Sequence, residues 1–233
     1  MSECIFVRHG QASFWSANYD ELSPLGIQQA ERLGHYLREN KLVPDQIWTG
    51  PLKRQIHTAE IIANILSLPT GDIQLVPALS EHQGPQVVKA ALPSLIEQRD
   101  PIIELVNKPY QNKEEQLANY LPIYEQVTKR WSQGEFDHLG YESWTDFLLR
   151  CERVIDSLHQ SDAGLSVCVS SGGPVSAAAG HVLGLPSETI LHLAWRMYNT
   201  GIVDYHLDPY QGPLLKGYNQ VPHLPDKKWH TLV

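Results

Sequence analysis

Cys4-Ile5-Phe6-Val7-Arg8-His9-Gly10-Gln11 places four apolar residues directly before a cation, an imidazole and a glycine. A short unbroken apolar run suits a strand buried on both faces. The polar residues behind it then stand at the strand's carboxyl end, where open α/β sheets bind ligands. Downstream, Ser23-Pro24 supplies an N-cap and a proline at the first helical position, and Ile27, Ala30, Leu33 and Leu37 recur at helical spacing. Asp45 to Thr49 reads as a second strand, and Ile56, Ala59, Ile62, Ala63 and Leu66 mark a second amphipathic helix. After the turn residues Pro69-Thr70-Gly71-Asp72, Ile73 to Val76 reads as a third strand. This βαβαβ rhythm predicts a three-layer α/β/α fold on a mainly parallel sheet.

The rhythm breaks at about residues 81–140, where helical patches (Val87 to Gln98, Gln116 to Trp131) occur without a strand. We read residues 1–233 as a single domain with a helical cap or insertion there. Trp144, Phe147, Leu148, Cys151, Val154, Ile155 and Leu158 form the strongest helical stripe. Leu165 to Val169 is a fourth strand, running into Ser170-Ser171-Gly172-Gly173-Pro174 and a further helix. Gly201 to Leu207 and Leu214 to Tyr218 are candidate strands around a Pro/Gly turn.

Composition bounds the function. With 233 residues, 42% of them hydrophobic, the chain has enough apolar material for a large core, which excludes a disordered or disulfide-stapled protein. A net charge of −8 argues against a nucleic-acid partner, which needs a concentrated basic face. No apolar run is long enough to cross a membrane, and Met1-Ser2-Glu3 does not read as a secretory leader. Three cysteines (Cys4, Cys151, Cys168) in apolar settings read as buried free thiols of a reducing compartment, so a cytoplasmic location is expected.

Three polar constellations follow strands: Arg8-His9-Gly10-Gln11, Gly50-Pro51-Leu52-Lys53-Arg54, and Ser170-Ser171-Gly172-Gly173. Each has an ordinary structural explanation: capping of carbonyls, a solvated helix residue, or a small-residue turn that allows close packing. Their convergence on one end of one sheet favours a site. No G-x-G-x-x-G follows the first strand, and the Ser-Ser-Gly-Gly turn lacks the glycine two places before the serine that a nucleophile elbow needs. No His/Asp/Glu cluster has metal-ligand spacing, so neither metal nor cofactor is expected.

Phe6 to Gln11 resembles the opening of the histidine phosphatase superfamily, the phosphoglycerate-mutase-like proteins. Leu22-Ser23-Pro24-Leu25-Gly26-Ile27-Gln28-Gln29-Ala30 is similar to that family's next block, and Thr49 to Ala59 to the block carrying a phosphate-binding arginine. Leu79-Ser80-Glu81 resembles the segment carrying the acid, although Gly84 comes one place earlier than in many relatives. Asn219 to Leu224 is similar to the C-terminal signature. Five blocks in order span nearly the whole chain.

The resemblance implies His9 as a nucleophile that forms a phosphohistidine, Arg8, Arg54, Gln11 and Gly172 around the phosphoryl group, and Glu81 as general acid. His82, directly after Glu81, is a rival proton donor. Two guanidiniums disfavour an imidazolium between them and stay charged at any working pH, which suits both attack and oxyanion binding without a metal. The departure is Ser171, which stands where the family typically carries a second histidine. Serine offers one neutral donor on a shorter arm; His82 or His138 could complete the shell, whereas His181 is about 15 Å further along its helix. Two readings follow: a metal-independent phosphomonoester hydrolase, or a phosphate-binding pseudophosphatase serving as sensor or scaffold. A mutase is disfavoured because His82-Gln83-Gly84-Pro85-Gln86 does not resemble the mutase motif after the acid. The expected partner is a small phosphorylated substrate; a homodimer is compatible with the sequence but not demanded by it.

Overall fold

Strand β1 (Ser2–Arg8) sends alternate side chains to opposite faces of the sheet: Cys4 and Phe6 enter one core, Ile5 and Val7 the other. On the Ile5 face, helices α1 (Pro24–Glu39) and α2 (Lys53–Ile65) pack through Leu33, Leu37, Ala59, Ile62 and Ala63. On the Phe6 face, α6 (Trp144–His159) and α7 (Gly172–Leu183) pack through Val154, Ile155, Leu158, Val175, Ala178 and Ala179. Two helical layers thus enclose one sheet, the α/β/α arrangement expected. The computed structural model describes residues 2–13 and 20–232, so the Met1 of the leader argument lies outside the described residues.

The six strands run in the order β3-β2-β4-β1-β5-β6. β2 (Gln46–Thr49), β3 (Gln74–Leu75), β4 (Leu165–Ser170) and β1 pair in parallel. β5 (Ile202–Asp208) and β6 (Gly212–Gln220) are antiparallel, so the sheet is mixed. Their hairpin explains the difference: Asp208 Oδ1 accepts from the amides of Tyr210 and Gln211, and Gly212 takes a φ of +83°, reversing the chain in a few residues. β3 is shorter than the predicted Ile73 to Val76, holding two exposed residues at the sheet edge. Helix α8 (Ser187–Trp195) has no counterpart in the sequence reading, because its N-cap, Pro186, gives no side-chain capping signal.

The chain forms two compact units, one up to Glu81 and from Leu148 onward, the other His82–Phe147. The second is helical, with α3 (Gly84–Glu97), α4 (Ile103–Val106) and α5 (Lys113–Trp131). Its centre is aromatic: Trp131 and Trp144 meet edge to face at 5.1 Å between centroids, and the Trp131 indole N–H donates to the Glu142 carbonyl at 3.0 Å. Among the described residues no helix is long and apolar enough to cross a membrane. Cys4, Cys151 and Cys168 are free and buried, and burial pushes the Cys4 thiol well up.

Candidate active site

Strand β1 delivers Arg8 and His9 at its carboxyl end, and the His9 amide continues the parallel ladder by donating to the Ser170 carbonyl at 2.8 Å. The turn that follows is narrow. A Cβ on Gly10 would lie 2.3 Å from the Gly26 carbonyl oxygen, and one on Gly26 would lie 2.1 Å from that of Gln11, so only glycines let β1 and α1 approach this closely. Gln11 is fixed from both ends. Its amide donates to Gln29 Oε1 at 2.9 Å, and its side-chain carbonyl accepts from Ser23 Oγ at 2.8 Å while that oxygen also caps α1.

His9 is 5% exposed. Arg54 Nε, which can only donate, lies 2.9 Å from His9 Nε2, so Nε2 carries the lone pair. The proton therefore sits on Nδ1, which donates to the Gly10 carbonyl at 2.7 Å. Burial, then the charges of Arg54 and Arg8, hold the His9 pKa well below its ordinary value against the opposing pull of the Gly10 carbonyl. The ring is neutral, of one tautomer, and aims a nitrogen lone pair at a guanidinium.

Arg54, near the start of α2 and 7% exposed, also donates from Nη1 to Asp20 Oδ1 at 2.7 Å, and Asp20 Oδ2 accepts from the Lys53 amide at 2.9 Å. Arg8 is held differently: its two Nη atoms donate to main-chain carbonyls, those of Met197 and, at 2.7 Å, Leu232. Glu81 presents Oε2 to the Gly173 amide at 3.3 Å, in the first turn of α7, where carboxylates are favoured. Its loop is pinned by Arg150 Nη1, which donates to the carbonyls of Ala78 (2.6 Å) and Ser80 (2.8 Å).

Ser171 is fully buried and is the N-cap residue of α7, yet its hydroxyl makes no capping bond; Oγ accepts from Gln55 Nε2 at 2.9 Å. Gly172 follows, where a Cβ would lie 2.9 Å from the Ala194 carbonyl oxygen, too close for a side chain without a backbone shift. The side chains of His9, Arg8, Arg54, Glu81 and Ser171 thus all belong to the unit that carries the sheet. Of the other candidate histidines, two belong to the helical unit. His82 belongs to the helical unit, where its ring lies between Trp131 (5.1 Å), Phe147 (5.4 Å) and Tyr124 (6.4 Å) and its Nδ1 accepts from the Gly84 amide. His138 is exposed in a 3₁₀ turn of the same unit. His181 occupies the last turn of α7, whose first turn meets Glu81.

Asp20 and Gln55 are the two site residues that sequence reasoning missed. Neither sits in a motif position that announces a partner, and each acquires its role only when α2 packs beside β1 and β4. His181, Glu152 and Asp156 also come together, with ligand-capable atoms all within 4.8 Å, from two helices that the sequence separates. They are largely exposed, and the His181–Glu152 contact of 3.7 Å is that of a surface pair.

A match to the histidine phosphatase superfamily, branch 1, covers residues 4–87 and 86–220. The chain belongs to this superfamily. Phosphoglycerate mutase 1 of Saccharomyces cerevisiae is 39% identical over 67 residues, a stretch covering 26% of this chain and 27% of the mutase. The 2,3-bisphosphoglycerate-dependent mutase of Corynebacterium efficiens is 32% identical over 84 residues, 33% of this chain and 31% of its own. The chain therefore matches under a third of each curated relative. The fold matches the solved phosphoserine phosphatase of Entamoeba histolytica with a TM-score of 0.61 at 23% identity, covering 96% of this chain and 100% of that one. A mycobacterial glucosyl-3-phosphoglycerate phosphatase gives a TM-score of 0.63 at 19% identity over 94% of this chain and 99% of the other.

Proposed function

We propose that this histidine phosphatase superfamily member is a metal-independent phosphomonoester hydrolase acting through a phosphohistidine on His9. The observation that carries the reading is the imidazole itself: neutral, fixed as the Nδ1–H tautomer, and facing a guanidinium with Nε2. For attack, Arg54 must first release Nε2, and a phosphoryl dianion draws it away by offering its own oxygens. The Nε2 lone pair then forms a bond to phosphorus while the bond to the leaving oxygen breaks. That oxygen takes its electron pair and a proton from Glu81. The positive charge that appears on the phosphorylated ring is stabilised by the Gly10 carbonyl at Nδ1–H. Water then attacks phosphorus, passes a proton to Glu81 and returns the bonding pair to Nε2. Arg54 and Arg8 supply the positive field for the equatorial oxygens. Gln11 and the Gly172 turn shape the rim of the phosphate site, and Ser171 adds one hydroxyl donor. The substrate is a small phosphorylated molecule.

Hydrolysis of an aryl phosphate in the presence of a chelator, comparing wild type with His9→Ala, tests this reading. Chelator-resistant turnover that disappears in His9→Ala, together with acid-labile phosphate trapped on His9, is the expected result. Wild-type rates in His9→Ala overturn it. A second reading, phosphate binding with little turnover, draws support from the involvement of Ser171 with Gln55; it predicts a phosphate-binding wild type whose turnover is raised by Ser171→His.

A further inference from the structure

We infer that Gln55 is a positioning residue that makes the Ser171 hydroxyl a donor toward the phosphoryl group; the inference rests on the phosphate-site reading above. Gln55 is fully buried one residue after Arg54. Its Nε2 carries two hydrogens, and both are spent: one on the Leu79 carbonyl at 3.1 Å, the other on Ser171 Oγ at 2.9 Å. Its Oε1 accepts from the Leu52 amide at 3.2 Å, which fixes the orientation of the carboxamide, because the opposite flip would set an amide nitrogen against a main-chain N–H and a carbonyl oxygen against another.

The direction of the Gln55–Ser171 bond follows. Gln55 donates and Ser171 accepts, so the hydroxyl hydrogen of Ser171 cannot point at Gln55. Among the described residues that hydrogen has no acceptor, and a buried hydroxyl with an unused hydrogen is costly unless something takes it. A phosphoryl oxygen beside His9 is the acceptor that the site offers, since the Ser170 carbonyl immediately before Ser171 already binds the His9 amide. Gln55 adds a second constraint. The Leu79 carbonyl that it holds also accepts from Ser170 Oγ at 2.6 Å, so one buried amide ties the start of α2, the end of β4 and the approach to Glu81.

The test is a double-mutant cycle read by titration with inorganic phosphate, which requires no turnover, with kcat on an aryl phosphate and thermal midpoints measured alongside. Gln55→Glu replaces the donating amide by an acceptor that captures the Ser171 hydrogen; Ser171→Ala removes it. Ser171→Ala is expected to weaken phosphate about tenfold; Gln55→Glu, which also adds a negative charge, is expected to weaken it about tenfold more in the wild-type background than in Ser171→Ala, where the donor is already gone and only the charge remains. Gln55→Leu, which can neither donate nor capture and carries no charge, reports the loss of packing: its effect on phosphate should differ less between the two Ser171 backgrounds than that of Gln55→Glu. Additive losses, an unchanged affinity in either single variant, or a wild type that does not bind phosphate overturn the inference. A wild type that binds phosphate with the expected cycle but does not hydrolyse the aryl phosphate leaves Gln55 in place and overturns the hydrolase reading alone.

Discussion

Arg54 and Arg8 flank one imidazole and are held in opposite ways. Arg54 spends donors on a neutral ring nitrogen and a carboxylate, acceptors whose places the oxygens of a phosphoryl dianion can take. Arg8 spends its Nη donors on the carbonyls of Met197 and Leu232, residues distant in sequence, and so also fastens the C-terminal segment to the end of β1. The difference teaches that charge next to a nucleophile is not one function. One guanidinium is poised to change partners during a reaction, whereas the other contributes its field while serving as a tie in the fold.

The contrast can be broken most severely at the residue that both cations act on. His9→Ala is expected to lower kcat on the order of 10⁴-fold with little change in phosphate affinity, measured by steady-state kinetics and phosphate titration. Next, Arg54→Ala should lower kcat/KM by about 10²–10³-fold at a nearly unchanged thermal midpoint. Arg8→Ala should cost less in kcat/KM than Arg54→Ala but more in thermal midpoint, from the loss of two charge-assisted bonds to the main chain, one of them partly buried; equal profiles for the two variants would abolish the distinction. Asp20→Asn keeps an acceptor for Arg54 and removes a negative charge, so phosphate should bind about fivefold more tightly, a gain of roughly 1 kcal/mol. Weaker binding would show instead that aiming Arg54 matters more than neutralising it.

A smaller effect concerns pH. His223, buried and bonded through Nε2 to Thr200 Oγ, has its pKa pushed down to about 4, first by burial and then by Arg32 and His230. Because the folded state resists protonation, its contribution to stability is full above the unfolded value near 6.5. It is lost as pH falls from there toward about 4, by up to roughly 3 kcal/mol. His223→Asn should flatten the thermal-midpoint profile over that interval, whereas a parallel profile would assign the acid sensitivity to other groups such as His9.

What the sequence makes legible here is local. Arg8, His9 and Gln11 are adjacent on one strand end, so an apolar run followed by polar residues was enough to find them. The unbroken run Cys4 to Val7 was likewise enough to predict a strand buried on both faces, and the βαβαβ rhythm to predict helices covering the sheet. Asp20 and Gln55 are invisible by the same logic: a loop aspartate and a helix glutamine are ordinary surface residues until tertiary packing buries their partners. His82 shows the same limit from the other side. Adjacency to Glu81 suggested proton chemistry, but its ring is enclosed by Trp131, Phe147 and Tyr124, whose stripes the sequence displays without showing that they converge on it. The β5–β6 strands and the Pro/Gly turn between them were legible, but not that β5 runs antiparallel to β1, because nothing local to either strand names its neighbour in the sheet.

The contact between Gly10 and Gly26 has a consequence for anyone who would redesign this protein. Each glycine leaves space that the backbone of the other block fills, so the two segments behave as a latch with two halves. A library that randomises either half alone will return mostly unfolded clones, and an alanine scan will flag Gly10 as if it were chemically essential. Such a signal would measure the clearance between a strand end and a helix, not participation in bond making. New specificity is better sought in side chains that surround the latch than in the latch itself.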